Sequence, residues 1–302
     1  MPTYREEEIT PAIARQWLRK NFKNRKPKMQ HIQALARDID AGRYALNGSA
    51  ICFDTNGALM NGQHRLQAVV FADKPIRSLV VRGLDPVVMT TIDETAPRSA
   101  ADAFQINETR NANKVAATLR AMTSYARGVD THSLSTAEVV ELLDRFPEAK
   151  TIITLPGALS VLSTAVSAIH AINRYLGKEE KSQEFVDVLM TGIPTYPGDA
   201  AHTFRERIIR ESLRTNNKLG RVALLRAAAH AWNMFEKQVS MKKFPLPSDK
   251  TYINGWTTAD LGLDVDSIKV SRSALIMPDT PETVRGKIAT AQKDKRQGNL
   301  PL

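Results

Sequence analysis

Cysteine is nearly absent from this sequence, which has only Cys52 among 302 residues. A single cysteine excludes internal disulfides and any zinc site built from several thiolates. No run approaches 18 apolar residues, so nothing in the sequence predicts a membrane span. The opening residues, MPTYREEEITP, lack the apolar core of a signal peptide. We therefore expect a soluble, cytoplasmic protein.

Acidic residues are also absent from one long stretch near the N-terminus. The chain has 42 Lys and Arg against 32 Asp and Glu, a formal charge of +10, yet it has no acid from Ile9 to Arg37. Clustered basic residues favour a polyanion such as DNA, and the alternative is a solvated helix face with Trp17 turned to the core. The candidate DNA-binding residues are Arg15, Arg19, Lys20, Lys23, Arg25, Lys26 and Lys28.

Over residues 1–106 the spacing of apolar residues alternates between the period of a helix and the period of a strand, which predicts a small α/β domain. The turn Thr55-Asn56-Gly57 predicts a hairpin, and Asp85-Pro86 is typical of a helix start. The predicted helices cover 11–20, 29–41 and 61–72, with one more beginning at 85, and the predicted strands cover 49–54, 58–60 and 77–81.

No strand is predicted after Ala112, so the remainder should be helical. Six helices are expected, at 110–127, 136–145, 158–176, 182–190, 200–215 and 221–238. Residues 241–302 are expected to be irregular and basic. The fold class is therefore α+β, with domains at 1–106 and 107–240 and the irregular segment at 241–302.

The segment Leu59–Ala68, LMNGQHRLQA, carries the clearest chemical signal. A strand ends, Gly62 permits a tight turn, and a helix begins with polar residues. Free N–H groups and the positive dipole end at a helix start form a site for phosphate. Arg65 adds a guanidinium suited to phosphate oxygens, and His64 could donate to phosphate or move a proton. The candidate phosphate-binding residues are Asn61, Gly62, Gln63, His64 and Arg65.

This segment resembles the DGQHRL signature of phage and bacterial members of the ParB/sulfiredoxin-like fold family, and the GERRxRA box of ParB proteins. The resemblance covers about residues 9–106. It is supported by Ala41–Tyr44 at a helix end, by Val80–Asp85, by Thr91–Glu94 and by Arg98–Phe104. It implies a nucleotide-binding domain of that fold.

Residue by residue, the resemblance identifies Gly62 as the turn glycine and Arg65 as the phosphate-binding arginine. His64 matches a histidine of the sulfiredoxin and serine-kinase branches. Gln63 stands where ParB has a glutamate linked to metal and hydrolysis, and Asn61 replaces the usual aspartate. Because sulfiredoxin's reactive cysteine would fall at Gln63, sulfiredoxin activity is not expected, and Cys52 is predicted to be a small buried residue.

Outside the motif, Asp93 and Glu94 are candidate catalytic carboxylates beside His64, able to hold Mg²⁺ or accept a proton. The alternative is a capped helix end with a surface ion pair. The other histidines lack the spacing of a metal site, so no metal site is predicted. Arg207, Arg210 and Arg214 form a helical stripe for which salt-bridged surface is favoured over DNA contact.

Two functions of different class follow. The resemblance implies a ParB-like, nucleotide-dependent DNA-binding protein encoded by a phage or mobile element, taking a nucleoside triphosphate or diphosphate, ATP or CTP, with Mg²⁺, and forming a homodimer. The alternative is an enzyme of the same fold, an NTPase, nuclease or phosphotransferase acting in DNA modification or metabolism. The amides at Asn61 and Gln63 favour the binding protein.

Overall fold

A computed structural model describes residues 1–21, 24, 26–90, 99–106, 109–129, 133–213, 219–264 and 267–278. The fold combines one four-stranded sheet with many helices, as the predicted α+β class requires. The chain divides into two compact units, an N-terminal unit of residues 1–97 and 265–302 and a helical unit of residues 98–264. These units differ from the predicted domains of 1–106, 107–240 and 241–302, because residues 98–106 and 241–264 belong to the helical unit and the far end of the chain belongs to the N-terminal unit. Residues 258–261, expected to be irregular, form a short α-helix.

The sheet of the N-terminal unit has four strands, β1 (Thr3–Ile9), β2 (Ile51–Asp54), β3 (Leu59–Asn61) and β4 (Ile76–Leu84). The sheet is mixed, with strand order β1-β4-β2-β3. Strand β4 pairs antiparallel with β1 and parallel with β2, and β2 pairs antiparallel with β3. Asp54 organises the β2–β3 turn as expected, because its Oδ1 accepts the N–H groups of Asn56 and Ala58 at 2.8 Å.

Three helices provide the main core of this unit, α1 (Pro11–Leu18), α2 (Met29–Asp40) and α3 (Gln63–Ala72). Their apolar residues, such as Leu18 and Leu66, form one cluster with Ile51 and Val80 of the sheet. Neighbouring strand residues point to the opposite face, where Cys52, Met60 and Val81 form a smaller cluster. Cys52 is buried there, as predicted.

Residues 267–278 lie against helices α2 and α3. Gln33 donates from Nε2 to the carbonyl of Ile268 at 2.7 Å. Gln67, which is 1% exposed, donates to the carbonyl of Ile276 at 2.7 Å and accepts its N–H at 3.2 Å. This reciprocal pair and the packing of Ile268 and Ile276 on the main core explain why the segment belongs to the N-terminal unit.

The described part of the helical unit contains no strand, as expected. Trp232 and Trp256 are fully buried, and the indole of Trp256 donates to the carbonyl of Met122 at 2.9 Å. Its helices are α4 (Ala100–Ile106), α5 (Ala112–Ala126), α6 (Thr136–Arg145), α7 (Ser163–Tyr175), α8 (Glu179–Thr191), α9 (Ala200–Ser212), α10 (Arg221–Glu236) and α11 (Thr258–Leu261).

Three local predictions were wrong. Strand β1 was not predicted, because its run of glutamates has low strand preference. Residues 158–162, the start of the helix predicted at 158–176, belong instead to a 3-10 helix over Gly157–Leu162 that precedes α7. The helix expected at Asp85-Pro86 is a 3-10 helix over Pro86–Thr90, and the Asp85 carboxylate accepts the N–H of Val87 at 2.9 Å.

Candidate functional site

Two helices of the N-terminal unit begin beside each other. Helix α2 starts after Lys28 and helix α3 starts after Gly62, and neither of these N-cap residues supplies a side-chain hydrogen bond. Neither helix has an acidic residue in its first turn. Because the first N–H groups of a helix lack the usual partner four residues earlier, two helix starts without N-cap side-chain bonds concentrate donors and positive potential in one place.

His64 joins the two helix starts. The backbone N–H of Lys28 donates to Nε2 of His64 at 3.0 Å. An Nε2 that accepts a hydrogen bond carries no proton, so this contact favours the neutral imidazole with its proton on Nδ1. His64 is half-buried, and its ring meets that of His31 edge to face at a centroid distance of 5.2 Å.

His31 is the residue at this site that sequence reasoning missed. It occupies the third position of α2, in the first turn of the helix. Because no metal-binding spacing marks it, His31 falls among the histidines for which the sequence predicts no site. The signal that would have identified it is its place three residues after Lys28, at the start of a predicted helix without a first-turn acid.

Gln63 is placed by neighbouring amides. It is 5% exposed, and its Oε1 accepts from Nδ2 of Asn21 at 3.0 Å. Asn24 donates both to Asn21 and to the carbonyl of Leu59, the latter at 2.8 Å. These bonds hold the segment after α1 against the start of α3, so Gln63 joins the basic stretch to the phosphate-type turn.

Arg65 also has protein partners. Its Nη1 donates to the carbonyl of Ser49 at 2.8 Å and to Oγ of Ser78 at 3.3 Å. These contacts fix the direction of the guanidinium, and a guanidinium has five N–H donors. Arg65 can therefore be held by the protein through Nη1 and retain donors for an anion.

Gly62 is required by two features of its position. Its φ of +101° lies in the left-handed region, which residues with a Cβ rarely adopt. A Cβ built there would lie 2.9 Å from Cγ1 of Ile51 and 3.3 Å from its Cα. The N–H of Gly62 donates to Oδ1 of Asn61 at 2.6 Å, so the Asn61 side chain also stabilises the turn.

The predicted DNA-binding residues fall on and after α1. Arg15 and Arg19 are exposed around the end of that helix, and Lys20, Lys26 and Lys28 are exposed in the segment that leads to α2. Because Lys28 contacts His64, the basic stretch and the phosphate-type turn are neighbours. Lys23 and Arg25 lie outside the described residues.

The candidate carboxylates Asp93 and Glu94 also lie outside the described residues. Within the described ranges, no group of three or more His, Cys, Asp or Glu is placed to hold a metal ion. The described residues around His64 therefore give no basis for deriving a metal-dependent step.

Comparisons with family models, curated proteins and solved structures found no match to this chain. Among the described helices, none is both long and apolar enough to cross a membrane.

Proposed function

We propose that the N-terminal unit is a ParB/sulfiredoxin-like nucleotide-binding module and that the protein binds DNA in a nucleotide-dependent manner. The observation that carries the proposal is the junction of two uncapped helix starts at the contact between Lys28 and His64. A nucleoside triphosphate or diphosphate, ATP or CTP, would place its phosphates at this junction, where backbone N–H groups and positive dipole ends are available.

The position of the basic stretch supports DNA as the second partner. Lys26 and Lys28 immediately precede helix α2, and the amides of Asn21 and Asn24 tie the same segment to Gln63 and Leu59. An anion bound at the helix starts would therefore change the charge next to the predicted DNA-binding residues. That proximity gives nucleotide binding a direct electrostatic route to DNA affinity.

The chemistry of the motif favours binding over catalysis. The described motif offers amides at Asn61 and Gln63, and both are engaged in hydrogen bonds within the protein. Nε2 of His64 accepts from Lys28 and would have to release that contact before taking a proton. The alternative, an NTPase, nuclease or phosphotransferase of this fold, needs a carboxylate such as Asp93 or Glu94 beside His64.

Titration of the purified chain with ATP, ADP, CTP and GTP, with and without duplex DNA, tests the proposal. We expect one nucleotide to bind and to change DNA affinity, and the Arg65→Ala variant to lose that binding. Ser78→Ala is the matched control, because it removes one hydrogen bond that Arg65 makes within the protein and keeps the Arg65 guanidinium itself available to a phosphate. Unchanged nucleotide affinity in a folded Arg65→Ala protein would contradict the site.

A further inference from the structure

A strongly basic cavity lies in the helical unit, apart from the residues of the proposed nucleotide site. Its volume is about 220 Å³. One wall is a face of helix α9, and the other is the short segment 242–244. Four Lys or Arg side chains line it against one carboxylate, that of Glu206. The four cations are Arg207, Arg210, Lys242 and Lys243.

The acidic groups near the cavity are already paired. Nη1 of Arg205 lies 2.7 Å from Oε1 of Glu206, and Nη2 of Arg207 lies 2.7 Å from Oε1 of Glu211. Arg207, which lines the cavity, is therefore held in place by Glu211.

Three further cations have no counter-charge among the residues that the structure describes. Arg210, Lys242 and Lys243 are exposed, and they form no ion pair with any carboxylate that the structure describes. Like charges that share one cavity repel each other, and a bound anion would remove that cost. The cavity is therefore electrostatically suited to phosphate, which accepts from both ammonium and guanidinium groups.

The two lysines are held in place by anchors on both sides. Before them, the N–H of Met241 donates to the carbonyl of Gly198 at 2.7 Å, and its carbonyl accepts from Oγ1 of Thr203 at 3.3 Å. After them, Phe244 is 3% exposed and packs on the ring of Phe204 at a centroid distance of 4.9 Å. These contacts fix the backbone of Lys242 and Lys243 opposite α9.

We infer that this cavity binds backbone phosphates of a nucleic acid. Ligand clefts that enclose a whole small molecule usually measure about 300–1,000 Å³, so about 220 Å³ fits a phosphodiester group better than a nucleotide. The site extends the proposed function, because it adds a phosphate contact on the helical unit to the basic stretch of the N-terminal unit. Inorganic pyrophosphate shares the same chemistry and serves as the small-anion probe.

The test compares two triple variants of the full chain. The first changes Arg210, Lys242 and Lys243 to Gln. The control removes the same charge at exposed positions outside the cavity, Arg5, Lys114 and Lys150. Affinity for a labelled DNA duplex is measured by fluorescence anisotropy over a range of NaCl concentrations, because each phosphate contact contributes about 0.9 to the slope of log affinity against log salt.

We expect the cavity variant to bind the duplex more weakly, with a salt slope smaller by about 2 to 3, and the control to keep the wild-type slope. Equal slopes in the two variants would overturn the inference while leaving the proposed function intact. Circular dichroism of both variants confirms that they are folded before they are compared.

A second arm separates this inference from the proposed function. In an Arg65→Gln background, which weakens the proposed nucleotide site, thermal unfolding is followed with and without pyrophosphate. If wild-type protein binds no DNA, the DNA part of the proposed function fails. The pyrophosphate experiment then tests on its own whether the cavity binds an anion. Stabilisation by pyrophosphate that disappears with the cavity triple supports the site, and no stabilisation overturns it.

Discussion

The backbone N–H of Lys28 donates a 3.0 Å hydrogen bond to Nε2 of His64, a residue 36 positions later. Lys28 is the last of the candidate DNA-binding residues, and His64 belongs to the phosphate-type turn. The sequence predicted DNA binding for the basic residues and nucleotide binding for the turn, but it did not predict that the two lie side by side. Their contact places the last of the candidate DNA-binding residues beside the phosphate-type turn.

The first prediction uses that contact to separate a positioning role of His64 from a catalytic one. His64→Ala removes the acceptor of the Lys28 N–H and should weaken nucleotide binding by about 0.5–1.5 kcal/mol, the net value of one hydrogen bond. His64→Gln retains an acceptor near the position of Nε2 and should restore most of the binding. Isothermal titration calorimetry of the three proteins measures the difference.

Turnover assays on the same proteins address the alternative function. If wild-type protein hydrolyses or transfers phosphate and His64→Gln does not, His64 takes part in proton transfer. That result would support the enzyme hypothesis. Binding that His64→Gln fails to restore would contradict the positioning role.

The second prediction concerns the glycine of the turn. Gly62→Ala places a Cβ at 2.9 Å from Ile51 in a left-handed backbone conformation. Gly42→Ala is the matched control, because Gly42 has a φ of +71° with nothing within 4 Å of its Cβ position. Both variants bear the backbone cost of about 1–3 kcal/mol. Gly62→Ala should lose about 1–3 kcal/mol more through overpacking, measured by urea unfolding.

Equal destabilisation by the two substitutions would show that the Ile51 side chain shifts at little free-energy cost to accommodate the added Cβ. The close approach of α3 to β2 would then not be the reason for a glycine at position 62.

The third prediction tests the basic stretch as a DNA contact. Changing Arg19, Lys20 and Lys26 to Gln should reduce the salt slope of DNA binding by about 2 to 3, because each lost phosphate contact removes about 0.9. The Arg5, Lys114 and Lys150 triple is again the control for net charge. A slope equal to that of the control would indicate that these residues form only a solvated surface.

Local signals in the sequence predicted helices α1 to α3, the β2–β3 hairpin and the helical second half. Periodicity and turn chemistry act over a few residues, so they can be found without the fold. Strand β1 could not be found this way, because its glutamates are accommodated by pairing with β4, where Arg82 and Arg77 form ion pairs with Glu7 and Glu6.

The motif of the candidate site could be predicted from the sequence, but the residues that surround the motif in the fold could not. Gly62 and the helix start at Gln63 follow from the residues themselves. The hydrogen-bond partners of Gln63 and Gln67 lie 42 and 209 positions away in the sequence, and no local pattern predicts them. The juxtaposition of His31 with His64 likewise depends on how α2 packs on α3.

The last prediction concerns the pH dependence of stability in the helical unit. His170 is 4% exposed, and its Nδ1 lies 2.8 Å from Oγ of Ser182. Burial, followed by the nearby charge of Arg174, lowers the pKa of His170 below its ordinary value of 6.5, and burial also lowers the pKa of His230. Well above pH 6.5 both the folded and the unfolded chain carry these rings neutral, so the rings do not contribute to the pH dependence of stability there.

Below pH 6.5 the unfolded chain takes up protons that the folded chain resists, so the free energy of unfolding falls as the pH falls toward the folded pKa values. Each ring contributes up to about 1.4 kcal/mol per pH unit. His170→Asn should remove one ring's share of this slope. Ser182→Ala, which breaks the same hydrogen bond but keeps the ring, should lower stability at every pH while retaining the slope.

Urea unfolding from pH 8 to pH 5, followed by the fluorescence of the buried Trp232 and Trp256, measures these slopes. The comparison depends on slope and not on absolute stability, so a general loss of stability in His170→Asn does not obscure it. If His170→Asn and wild type lose stability equally between pH 6.5 and pH 5, the His170 ring does not resist protonation in the folded state, and the acid sensitivity of this unit must come from other groups such as His230.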